Sequence, residues 1–163
     1  MSHYSREQLI QKLPQQPPFL FLDHVDLDGD HLRAGYRVKG SEDFLAGHFK
    51  GNPVFPASIV FEAMGQAACL WLLEQAPARL AKAIRSDQLF FASLGQARFL
   101  RPIRPGDELL IEEQLVKLRE PLAVFAGTVT VRGQRAATVE RLILAFGGPL
   151  PSEGGAGGAA GSS

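Results

Sequence analysis

His48 and Glu62 stand 14 residues apart in the stretch GHFKGNPVFPASIVFEAMGQA, residues 47–67, where apolar and small side chains dominate. A histidine exchanges a proton near neutral pH. A carboxyl group enclosed by apolar neighbours has its charged form disfavoured, which keeps a proton available to give. One base and one acid, set apart in a dry cavity, suit the elimination of water from a β-hydroxy carbonyl compound. The base takes the proton beside the carbonyl and the acid protonates the departing hydroxyl. Negative charge gathers on the carbonyl oxygen as this happens. A helix starting near Ala57 would offer that oxygen free backbone N–H groups and the positive end of its dipole.

The same two residues also fit plainer roles. A histidine beside a turn commonly does no more than hold a loop by a hydrogen bond, and a glutamate on a helix commonly faces water. Spacing alone leaves both readings open. Several other chemistries fit poorly. His3, His24, His31 and His48 show no metal-ligand spacing, and Cys69, the single cysteine, cannot build a thiolate site. The chain holds neither a phosphate-binding glycine loop nor a Gly-x-Ser-x-Gly elbow, and no spacing pairs Ser58 with a base. No metal and no cofactor is expected.

The elements that must position these groups are legible in the pattern. The 163 residues suffice for one domain with a core of its own, and 45% hydrophobic with 21% charged residues is ordinary for a soluble protein. The formal net charge of zero gives no overall pull toward nucleic acid or a membrane surface. The start lacks a signal peptide's apolar run, and no apolar stretch is read as reaching the ~18 residues of a membrane span, so a cytoplasmic protein is expected. Ser5 and Gln8 have capping-box spacing ahead of Leu9, Ile10 and Leu13, which predicts a short helix ended by the prolines at 14, 17 and 18. Two strands around Asp28-Gly29-Asp30 follow. Residues 56–75 are apolar on nearly every side, which predicts a buried helix with Pro56 at its first position and Pro77 marking its end. Strand-like runs at 88–100, 107–118, 122–132 and 135–146 come next, separated by turn residues. The Gly/Ala/Ser-rich stretch 147–163 reads as a disordered tail. The expectation is an α+β domain over residues 1–146, in which an antiparallel sheet wraps one long helix.

The stretch GHFKGNPVFPASIVFEAMGQAA resembles the active-site segment of the bacterial β-hydroxyacyl-(acyl carrier protein) dehydratases of the FabZ type. LPQQPPFLFLDHV and FFASLGQARFLRPIRPGDEL resemble two further segments of that family, in the same order. The resemblance implies a hot-dog fold and dehydration of a (3R)-hydroxyacyl chain, carried as a thioester by acyl carrier protein, to the trans-2-enoyl product. By position, His48 takes the place of the catalytic histidine and Glu62 that of the catalytic acid. Val54 and Ala57 fall where the thioester is held, Gln66 lies one turn after Glu62, and Phe91 lies on the strand lining the acyl tunnel. The family builds its site across a homodimer interface, in some members with three dimers joined. Three positions depart from the family: Ala57 replaces a glycine, Gln15-Gln16 replaces His-Arg, and Lys50 stands where proline is usual. These bear on substrate and pathway, fatty-acid synthesis or a related lipid or polyketide route. Two other functions keep the same fold: an acyl thioesterase, and a non-catalytic acyl-binding subunit, for which Ala57 is the best motive.

Overall fold

The computed structural model describes residues 1–147. The expected tail, apart from Gly147, lies outside the described residues. Strand β1 (Ser2–Ser5) leads into helix α1 (Arg6–Lys12), and strands β2 (His24–Asp28) and β3 (His31–Arg37) form a hairpin. A short 3₁₀ turn (Asp43–Ala46) precedes the long helix α2 (Ala57–Glu74) and a five-residue helix α3 (Ala76–Leu80). Strands β4 (Phe90–Phe99), β5 (Glu108–Arg119), β6 (Leu122–Val131) and β7 (Gln134–Ala145) complete the chain. The seven strands form one antiparallel sheet in the order β1-β2-β3-β5-β6-β7-β4. It is the hot-dog arrangement, a sheet curled around α2.

Alternation along the strands makes the curl work. On β5, Leu109, Ile111 and Leu115 point inward and are buried, while Leu110 and Val116 point outward. Twelve of the helix's residues, Val60, Phe61 and Ala63–Leu72, are buried against this inner face. By length and composition α2 is apolar enough to cross a bilayer, which corrects the reading that no such stretch exists. Glu62, Gln66 and Glu74 break the run without lowering its average enough. Its apolar surface is covered by the protein itself. Trp71 fixes the depth of the helix, donating from Nε1 to the Gly29 carbonyl at 2.7 Å and packing edge-on against Phe125.

The capping box at Ser5 and Gln8 is present at the start of α1. Three details differ from the sequence reading. Pro56 flanks α2 in an extended conformation, and Ala57 is the first helical residue. The helix ends at Glu74 without help from Pro77, which lies inside α3. Strand β1 was not expected, because four polar or small residues give no alternation to read; it is held by pairing with β2.

One inward position on β5 carries no hydrocarbon. Glu113 is 3% exposed, and among the described residues neither carboxyl oxygen finds a hydrogen-bond partner. Its neighbours across the sheet are Leu32 and Gly127. Gly127 is required there, since a Cβ would lie 2.6 Å from Glu113 Cγ and 2.9 Å from Met64 Cε. Burial pushes the Glu113 carboxyl well above its ordinary range, because it disfavours the charged form.

Candidate active site

The loop carrying His48 is closed by its own backbone. Phe49 and Asn52 exchange N–H···O bonds of 2.8 and 2.9 Å, and His48 N–H reaches Leu45 O at 3.2 Å. Arg104 Nη1 donates to Asn52 Oδ1 at 2.6 Å, tying this loop to the β4–β5 connection. Val54 serves His48 twice: its N–H donates to the His48 carbonyl, and its own carbonyl lies 2.7 Å from His48 Nδ1. A carbonyl can only accept, so Nδ1 carries the proton. Nε2 is left with its lone pair, the state a general base needs. The Phe49 ring, half exposed, stacks on the imidazole with centroids 4.0 Å apart.

Eight residues after His48, Pro56 begins the turn into α2, having no N–H to satisfy where the helix starts. Pro56 O accepts from Ile59 and Val60 N–H at 3.0 and 3.2 Å. Among the described residues, the N–H groups of Ala57 and Ser58 have no partner, no side chain caps this end, and no acidic residue lies in the first turn. The positive end of the dipole is therefore open to a developing negative charge.

Glu62 faces the side of α2 that the sheet does not cover. Within one chain it is half-buried, because the sheet of this chain seals the helix on its other faces. Its Oε1 accepts from Gln66 Nε2 at 3.0 Å, the one-turn spacing expected. Gln66 is fully buried and fixed at both ends. Its Oε1 accepts from Phe21 N–H at 2.9 Å, and its Nε2 also donates to Phe19 O at 2.9 Å. The segment that crosses α2 at Phe19–Phe21 thus orients the glutamate through one amide.

Beside Glu62 lies a cavity of about 80 Å³, lined by Gln15, Glu62, Gly65, Cys69, Phe90 and Phe91 among others. Phe91 reaches it because position 65 is glycine; a Cβ there would come within 2.7 Å of the ring. Burial pushes the Cys69 thiol up to about 12, so it stays protonated and is no nucleophile. Gln15 Nε2 donates to Cys69 Sγ at 3.9 Å. Among the described residues, no three of His, Cys, Asp and Glu converge as metal ligands would.

The structure therefore brings Glu62, Gln66 and Phe91 to one side of α2. Val54 and His48 share one loop, and Ala57 stands at the helix start between the two groups. Within one chain His48 neither bonds Glu62 nor lines its cavity. Sequence reasoning missed Gln15 and Cys69 as cavity residues. Gln15 stood out only as a departure from the family pattern, since no spacing links position 15 to position 62.

The model of the FabA-like domain family matches residues 13–140. The chain is 37% identical over 132 residues to the 3-hydroxyacyl-[acyl-carrier-protein] dehydratase FabZ of Sodalis glossinidius, covering 80% of this chain and 85% of that one. It is 36% identical over 138 residues to the protein of the same name from Proteus mirabilis, covering 83% and 89%. Among solved structures, the dehydratase heterocomplex ApeI:P from Xenorhabdus doucetiae superposes with a TM-score of 0.70 at 19% identity, covering 86% of this chain and 91% of that chain. A Streptococcus mutans protein solved with acetyl CoA superposes with a TM-score of 0.57 at 20% identity, covering 83% and 96%. These two likenesses concern the fold.

Proposed function

This chain belongs to the FabA-like domain family, and we infer that it is a 3-hydroxyacyl-[acyl-carrier-protein] dehydratase. It removes water from a (3R)-hydroxyacyl thioester to give the trans-2-enoyl thioester, in fatty-acid biosynthesis or a related pathway. The observation that carries the assignment of roles is the Val54 carbonyl 2.7 Å from His48 Nδ1. It keeps Nε2 free to take the C2 proton. Glu62 then protonates the 3-hydroxyl, with Gln66 holding the carboxyl in place. The thioester carbonyl lies toward Ala57, whose free N–H and helix end balance the charge that builds on oxygen. Val54 acts chiefly by orienting His48, and Phe91 gates the passage for the acyl chain against Gly65.

The site is completed by a second copy of the chain, with His48 of one protomer facing Glu62 of the other. Two features support this reading. His48 and Glu62 do not meet within one chain. Among the described residues, strand β4 pairs with β7 on one side only and its other edge is open, with Phe90 and Leu94 each 41% exposed. Acyl carrier protein presents the substrate to this homodimer.

The test uses (3R)-hydroxyacyl thioesters on acyl carrier protein, following enoyl formation and free-thiol release together. His48→Ala and Glu62→Gln should each lower kcat by roughly 10²-fold or more while the fold is kept. Mixing the two inactive variants should restore part of the activity, since one site of each mixed dimer regains both groups. Near-normal dehydration by either variant would sink the assignment, and thiol release without enoyl product would make the chain a thioesterase.

A further inference from the structure

The cavity of about 80 Å³ beside Glu62 is too small for an acyl chain but has room for a hydroxyl group or a water molecule. One of the residues that line it, Gln15, has a polar atom with nothing to do. Gln15 Oε1 is buried, and no group among the described residues donates to it. The other end of the same amide is engaged, with Nε2 donating to Cys69 Sγ at 3.9 Å, which turns the oxygen away from the sulfur. A buried acceptor left unpaired costs free energy, so its retention beside the proposed acid points to a donor that arrives with the substrate.

The chemistry names that donor. A hydroxyl that is to be protonated must offer a lone pair to the acid, so its own O–H must point elsewhere, to an acceptor. Gln66 is not available: it is fully buried and does not line the cavity, and its nitrogen is a donor. Cys69 holds a protonated thiol and is in contact with Gln15 Nε2. Gln15 Oε1 remains.

We propose that Gln15 Oε1 accepts the hydrogen bond of the leaving 3-hydroxyl, making the small cavity beside Glu62 the place where water is formed and released. This rests on the dehydratase reading above. The C2–H electron pair becomes the second C2–C3 bond as His48 takes the proton. The C3–O bond breaks, and the hydroxyl oxygen takes the Glu62 proton. Water departs, leaving Glu62 ionised and His48 protonated, and the proton returns to Glu62 before the next turnover. As the oxygen gains a second proton its O–H becomes a stronger donor. The bond to Gln15 therefore tightens on the way to the transition state and acts on kcat.

The experiment compares Gln15→Leu and Gln15→Met, which remove the acceptor, with Gln15→His, which keeps one in the ring. On carrier-bound (3R)-hydroxyacyl thioester, the Leu and Met variants should lose about tenfold in kcat, the rate equivalent of one hydrogen bond, with KM changed less than about twofold. Gln15→His should recover most of the loss. A saturated acyl thioester, lacking the 3-hydroxyl, should inhibit all four proteins equally. Unchanged kcat in both acceptor-free variants would overturn the proposal. So would equal weakening of the saturated inhibitor, which would mean that Gln15 only shapes the cavity. If the unaltered protein forms no enoyl product, the dehydratase reading falls and this inference falls with it. If the unaltered protein is active and the Gln15 variants match it, only this inference falls.

Discussion

Replacing Glu113 by glutamine should change stability in opposite directions at the two ends of the physiological pH range. In the folded chain the carboxyl is buried against Leu32, Gly127 and Met64 with no partner for either oxygen, and burial raises its pKa well above the ordinary glutamate value. Above about pH 5 the unfolded chain releases this proton while the folded chain keeps it. The unfolded state then binds fewer protons, so stability falls as pH rises. The slope is about 1.4 kcal/mol per pH unit and persists until the folded carboxyl ionises too. For a domain of this size that is a loss of about 3–5 °C in Tm per pH unit from this one group. Glu113→Gln cannot ionise, so it lacks this slope, but it buries two unpaired N–H donors in place of one O–H. Its melting curve should therefore lie at or below that of the unaltered protein at pH 5 and above it at pH 8. Glu113→Leu should lie above at both. Scanning calorimetry across that range, at fixed ionic strength, checks this through the difference between variants, which cancels the other titrating groups. Parallel Tm–pH curves for the unaltered and Gln proteins, or a Gln variant less stable at pH 8, would refute the reasoning.

Gln66→Leu should leave the Phe21 N–H and Phe19 carbonyl unpaired in the interior, at about 1–3 kcal/mol each, so thermal melting should show a fall of roughly 5 °C or more. Freed of the amide, Glu62 should also lose activity, and the pH profile of kcat should change in a way that a purely destabilised variant would not show. Arg98 and Arg101 are exposed and make no ion pair among the described residues, whereas Arg104 is committed to Asn52 in the His48 loop. Reversing Arg98 and Arg101 to Glu should raise KM for carrier-bound substrate, an effect that added salt mimics, and spare a small-thioester substrate. Equal loss on both substrates would rule out a docking role.

The order and type of the main elements were legible because their signals are local. Ser5 with Gln8, the Asp28-Gly29-Asp30 turn and the period-2 runs of the last four strands need no tertiary information. The long helix was legible from its composition, though its ends were not: Pro56 and Pro77 stand one residue outside and three residues beyond the observed limits. His48 and Glu62 were legible as candidates because a base and an acid are unusual in apolar company. Their supports were not. The Val54 carbonyl and the Phe19–Phe21 backbone contribute main-chain atoms, which have no signature in residue type. Glu113 did carry a signal, since strict alternation from Leu109 through Ile111 to Leu115 puts it on the inner face. Charge at a core position reads more readily as a break in the pattern than as a buried acid.

The unpaired side of β4 has a consequence for handling and for variants of this protein. An edge strand with exposed apolar side chains is a template on which other strands can add, and addition in a continuous register leads to aggregates. Here the edge is interrupted twice, by a bulge between Phe91 and Ser93 and by the left-handed backbone of Gln96, whose φ is 51°. These irregularities leave only short straight segments, so one strand shaped to match can dock while a run of generic strands cannot. A substitution that straightens β4 would therefore cost solubility and disturb the matched pairing on which a site shared by two chains depends. Loss of soluble protein among β4 variants would report on the shape of that edge, and specific activity measured on the surviving fraction would report on the pairing of the two chains.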